Sequence, residues 1–146
     1  MLRVAVISGP NLDRLGTREP AIYGTTTLRD IEAMCRAAAG NHPIVFRQSN
    51  AEFDLVNWIQ EAIDEGAGIV INPAGLSFTS VPILDALRMF PGPIVELHIS
   101  NIHRRPPPHR DSLISHAATG VICGLGAEGY RSAVEAILRM IHAKGA

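Results

Sequence analysis

Lysine is almost missing from this chain: the only one is Lys144, while twelve arginines carry the remaining positive side-chain charge. A mechanism that needs a buried amine to form a Schiff base is therefore excluded in practice. Cysteine is scarce too. Cys35 falls in a helical pattern and Cys123 in a strand pattern, without metal-ligand spacing, so both read as reduced core residues. No apolar run reaches the length of a transmembrane helix. The first residues pass straight into a strand pattern, without the charged and apolar regions of a signal peptide, and a cytoplasmic protein is expected. A net charge of -1 gives no electrostatic reason to expect nucleic acid or an anionic membrane as a partner.

What is present is apolar and regularly spaced. With 47% hydrophobic and 18% charged residues, 146 residues predict one domain, 1–146, whose surface is partly covered by other subunits. Strand patterns at Arg3–Ile7, Ile44–Arg47, Gly68–Ile71, Ile94–Ile99 and Gly120–Cys123 alternate with helical ones. The helices are expected from Thr27 to about Ala39, over Ala51–Glu65 with Asn50 as cap, from Thr79 or Ser80 to about Phe90, and from Glu128 to His142. Five short apolar strands separated by helices predict an α/β fold, a parallel sheet covered on both faces. Right-handed crossovers favour the flavodoxin-like order 2-1-3-4-5. In that order the chain reverses direction between strands one and three, and a crevice forms at their carboxyl ends.

The polar residues gather at those ends. Strand one runs into Gly9-Pro10-Asn11, then a loop holding Arg14, Arg18 and Tyr23. A phenol beside guanidinium groups can be held as phenolate, which is a base, and Arg18 and Arg105 are candidates for that field. The same residues could equally be a packed ring and a solvated surface. Glu96 and His98 alternate along strand four and share a face. A carboxylate beside an imidazole fixes its tautomer and suits a general acid, or merely satisfies a structural histidine. Asn11 and Asn72 each follow a strand beside proline, where turn chemistry competes with gripping a hydroxyl or carboxylate. Ile99, Ser100 and Asn101 offer backbone N–H groups suited to a carboxylate. The spacing Gly124-x-Gly126-x-x-Gly129 follows the last strand with no βαβ unit after it, so it is no dinucleotide signature.

Together these motifs resemble one family. Gly9-Pro10-Asn11-Leu12, Arg18-Glu19-Pro20, Ile22-Tyr23-Gly24, Arg47-Gln48-Ser49-Asn50, Asn72-Pro73, Thr79-Ser80-Val81, Asp85-Ala86, Glu96-Leu97-His98-Ile99-Ser100-Asn101 and Gly124-Leu125-Gly126-x-x-Gly129-Tyr130 are similar, in order, to type II 3-dehydroquinate dehydratase. The resemblance implies a dodecamer built from trimers, with no metal or organic cofactor, acting on a small-molecule substrate. It implies that Tyr23 removes a proton beside a ring ketone, with Arg18 and Arg105 lowering its pKa. Asn11 would help hold the water that stabilises the enolate, and His98, oriented by Glu96, would protonate the departing hydroxyl. Asn72 with the backbone of Ile99 and Ser100 matches the family's carboxylate site, and Asp85 an acid that reaches the neighbouring subunit's site.

Two departures fall on one end of the pocket. Phe78 stands where the family has histidine in a Thr/Ser-His-Thr-Ser stretch, and Arg105-Pro106-Pro107-Pro108-His109 replaces most of Arg-Glu-x-Phe-Arg. The resemblance implies that this end recognises substrate hydroxyls, so Phe78 and His109 are candidates for altered substrate binding. The readings left open are an active type II dehydroquinase, a lyase of the same mechanism on a related cyclic hydroxy-keto acid, and a non-catalytic homologue.

Overall fold

The computed structural model describes residues 2–17 and 20–145, with the backbone alone at Ile22, Tyr23, Lys144 and Gly145. Among these residues five strands form one parallel sheet: β1 (Arg3–Ser8), β2 (Ile44–Gln48), β3 (Gly66–Asn72), β4 (Ile94–His98) and β5 (Gly120–Cys123). Their spatial order is β2-β1-β3-β4-β5, as the alternating pattern predicts. The helices are α1 (Pro20–Tyr23), α2 (Leu28–Ala39), α3 (Glu52–Glu65), α4 (Val81–Arg88) and α5 (Glu128–Gly145). No described helix is long and apolar enough to cross a membrane.

Alternation along the strands builds two cores. Val4, Val6, Val70, Val95 and Leu97 face α2 and α5, where they pack with Ile31, Cys35, Val134 and Ile137. Ala5, Ile7, Ile69, Ile71 and Ile94 point the other way, onto Leu55 and Ile59 of α3 and Ile83 and Leu87 of α4. The central strands are apolar on both faces because helices cover both.

Local chemistry sets most boundaries. Thr27 accepts from Asp30 N–H while the Asp30 carboxylate accepts from Thr27 N–H, a complete capping box that contributes ~1 kcal/mol to α2. Asn50 does not cap α3, contrary to expectation. Its Oδ1 is occupied by the Asn11 N–H at 2.9 Å and the Gln48 side-chain amide at 3.2 Å, the α3 cap is Ala51, and Ser49 accepts from the Ala51 N–H. Strand β3 starts two residues before the expected Gly68, because Gly66 already pairs with Arg3. Strand β4 ends at His98 rather than Ile99, α4 stops at Arg88 rather than Phe90, and α5 runs past His142 to Gly145.

Candidate active site

Strands β1 and β3 run side by side to the carboxyl edge of the sheet, and their ends are fixed by backbone. Gly9 N–H donates to Asn72 O at 2.8 Å. A Cβ at Gly9 would lie 2.5 Å from Pro73 O, so only glycine permits this approach. Immediately beyond lie Asn11 and Ala74 with φ of 71° and 53°, the two non-glycine residues in the left-handed region among those described. Both line one cleft, and such backbone strain gathers where a site is pre-shaped.

The cleft has a volume of about 440 Å³. The β1 loop contributes Asn11, Arg14 and Leu15; the β3 end Asn72, Gly75 and Phe78; the β4 end and the segment after it His98, Ile99, Ser100, Arg105 and His109. The expected convergence on a crevice is thus what the sheet produces, at the point where chain direction reverses between β1 and β3.

The chemistry at the β4 end is a buried acid and an imidazole. Glu96 is fully buried and His98 is 4% exposed. The Glu96 carboxylate accepts from His98 Nε2 at 2.5 Å and Ser112 Oγ at 2.6 Å on Oε2, and from Ser115 Oγ at 2.6 Å on Oε1. Burial pushes this carboxyl up, but the hydrogen bonds from His98, Ser112 and Ser115 and the charge of His98 outweigh it, leaving it below the ordinary carboxylate range. Glu96 is therefore an anion at neutral pH. His98 spends Nε2 on it, which leaves Nδ1 for a ligand.

At the β3 end Asn72 is 3% exposed. Its Oδ1 accepts from the Ala74 N–H at 3.2 Å and its Nδ2 donates to the Tyr130 hydroxyl at 3.2 Å. Tyr130 in turn is 2.9 Å from Ser8 Oγ. Burial pushes the Tyr130 phenol up to about 12, so it is neutral at any working pH. At the outer end of the cleft the Phe78 ring stacks on His98 with centroids 6.3 Å apart and meets the His109 ring edge-on at 5.7 Å. That end is an aromatic wall.

The structure thus brings Asn11, Asn72, Phe78, His98, Ile99, Ser100, Arg105 and His109 to one cleft, with Glu96 behind His98. Asp85 lies on the exposed face of α4, away from its own chain's cleft. Arg18 lies outside the described residues, and so does the side chain of Tyr23. Ser112, Ser115 and Tyr130 were given no part on sequence grounds. The two serines could have been found by asking what satisfies a buried Glu96, and Tyr130 by noting a hydroxyl in the apolar stripe of the last helix. Arg14 also lines the cleft, although Arg18 and Arg105 were the arginines expected to supply the field at Tyr23.

An open parallel sheet of flavodoxin-like order, with a polar cleft at its switch point, defines the class. The chain belongs to the family described as dehydroquinase class II, whose model matches residues 2–138. It is 54% identical over 136 residues to 3-dehydroquinate dehydratase of Brucella canis, covering 92% of this chain and 87% of the relative. It is 50% identical over 137 residues to 3-dehydroquinate dehydratase 2 of Agrobacterium fabrum, covering 92% and 93%. The crystal structure of type II dehydroquinase from Propionibacterium acnes superposes with a TM-score of 0.89 at 39% identity, over 95% of this chain and 97% of that one.

Proposed function

We propose that this protein is a carbon–oxygen hydro-lyase that eliminates water from 3-dehydroquinate to give 3-dehydroshikimate, as a step of the shikimate pathway. The observation that carries the reading is the buried Glu96–His98 pair at the switch-point cleft of a chain that matches the family over nearly its full length. In this reading Tyr23 takes the proton from the carbon beside the ring ketone, and the electron pair moves onto the carbonyl oxygen as an enolate. Arg18 and Arg105 supply the positive field that favours the Tyr23 phenolate, and Asn11 holds the water that receives the enolate charge. The enolate then re-forms the ketone and expels the hydroxyl, which takes a proton from His98 and leaves as water.

Support for the acid comes from its environment. An anionic Glu96 on Nε2 stabilises the doubly protonated ring that delivers a proton from Nδ1, and burial strengthens that interaction. Asn72 with the N–H groups of Ile99 and Ser100 receives the substrate carboxylate. Residues 1–146 act as one cytoplasmic domain that needs no metal or organic cofactor. Asp85 completes a neighbouring subunit's site in a dodecamer of trimers, a role suited to its exposed position on α4. Steady-state turnover with 3-dehydroquinate, followed by the ultraviolet rise of the conjugated enone, tests the reading. Efficient turnover at micromolar substrate is expected, and no turnover by folded, oligomeric protein overturns it.

A second reading rests on the aromatic wall. Phe78 and His109 present aromatic rings where hydroxyls need donors, which favours a related cyclic hydroxy-keto acid with fewer hydroxyls at that end.

A further inference from the structure

Asn72 can be assigned without ambiguity. The Ala74 N–H can only donate, so the atom facing it is Oδ1, and the amino group faces Tyr130. One Nδ2 proton goes to the phenol oxygen, and the phenol proton is free to pass to Ser8 Oγ. A single N–H of Asn72 is then left for the cleft. A side chain so held offers a ligand a donor, and selects acceptors such as a carboxylate over donors such as a hydroxyl proton.

The group that holds the amino end of this amide is remote in sequence. Tyr130 stands in the first turn of α5, 58 residues from Asn72 and 122 from Ser8, and is fully buried among Val6, Val70 and Val134. A phenylalanine would fill that apolar space as well, without the cost of dehydrating a hydroxyl. The hydroxyl's partners are the last residues of β1 and β3, the two strands whose ends form the cleft floor.

We infer that Tyr130 is a positioning residue: its buried hydroxyl holds the amino group of Asn72 while the Ala74 N–H holds the oxygen, and the two together lock the amide with an N–H presented to the anionic end of the substrate. The inference rests on the proposed dehydratase reading for the identity of that substrate. Tyr130→Phe keeps the ring and removes the lock. The KM for 3-dehydroquinate should rise about five- to tenfold, the equivalent of one neutral hydrogen bond, with kcat changed less than twofold. In an Asn72→Ala background the same substitution should have no further effect on KM, because it acts through Asn72.

Solvent exchange of the Asn72 side-chain amide protons, read by nitrogen-15 NMR, reports the lock without any substrate, and should quicken at least tenfold in Tyr130→Phe. Should that variant fail to fold, Ser8→Ala loosens the phenol from its other side. It should raise KM by about two- to threefold, again only while Asn72 is present. A Tyr130→Phe protein with unchanged KM and unchanged Asn72 exchange overturns the inference, as does an equal rise in KM without Asn72. Faster Asn72 exchange in a protein that does not turn over 3-dehydroquinate sustains the lock and removes only the dehydratase reading.

Discussion

Replacing Glu96 by glutamine isolates the effect of its charge, because volume and most hydrogen bonds survive. Oε2 receives both His98 and Ser112, whereas Oε1 receives Ser115 alone. The amide oxygen of glutamine takes the Oε2 place, and its amino group turns to Ser115, whose hydroxyl can rotate to accept. What disappears is one buried negative charge beside the imidazole. A hydrogen bond to a charged group contributes roughly 1.5–3 kcal/mol against about half that for a neutral one. If the whole difference, about 0.8–1.5 kcal/mol, falls on the chemical step, kcat drops about 4- to 12-fold at one decade per ~1.4 kcal/mol, with KM little changed. The same charge governs acid stability. The folded Glu96 carboxyl titrates below its ordinary value of 4.5, so between the two the unfolded chain binds more protons. Its contribution is present in full above that ordinary value and is lost as pH falls through the lowered one, so Glu96→Gln should flatten the acid limb of a denaturation curve. Steady-state kinetics with 3-dehydroquinate and urea unfolding across pH 3–7 measure both effects. A variant with kcat within threefold of the parent protein would refute the coupling of Glu96 to His98 in turnover.

Three further outcomes are expected. Tyr23→Phe should abolish turnover while leaving substrate binding, measured by calorimetry, within a few-fold; retained turnover removes Tyr23 as the base. The double change Phe78→His and His109→Arg should raise kcat/KM for 3-dehydroquinate by about tenfold or more, the worth of a charged donor to a buried hydroxyl; no gain means that neither residue limits recognition of that substrate. Gly9→Ala puts a Cβ against the Pro73 carbonyl, which cannot move without parting β1 from β3. Its unfolding free energy should fall by about 1–3 kcal/mol and activity should fall with it; a melting temperature within a degree of the parent contradicts the packing argument.

The sheet was legible because its strands are nearly continuous Val and Ile runs, and the helices between them carry a one-sided apolar stripe. Gly9, Asn11, Asn72 and His98 could be placed at the cleft because each sits at or just beyond a strand end, and Glu96 because alternation along β4 puts it on the face of His98. What escaped was chemistry carried by distant partners. Ser112 and Ser115 lie 16 and 19 residues beyond Glu96, in a segment whose path depends on tertiary packing. Asn50 looked like a cap because its residue type suits one. The Asn11 N–H, 39 positions away, competes for the same oxygen and wins. The packing of Phe78 against two imidazoles, one stacked and one edge-on, likewise has no trace in the chain's periodicity.

The left-handed backbone at Asn11 and Ala74 bears on when the site acquires its shape. Each conformation costs on the order of 1 kcal/mol in a non-glycine residue, and the chain meets that cost while folding, from the burial of its two cores. An arriving substrate has no such loop rearrangement left to drive at the floor between β1 and β3. Selectivity there is decided by fit against a rigid template, and adaptation to new substrates falls to the wall made by Phe78 and the segment that carries His109.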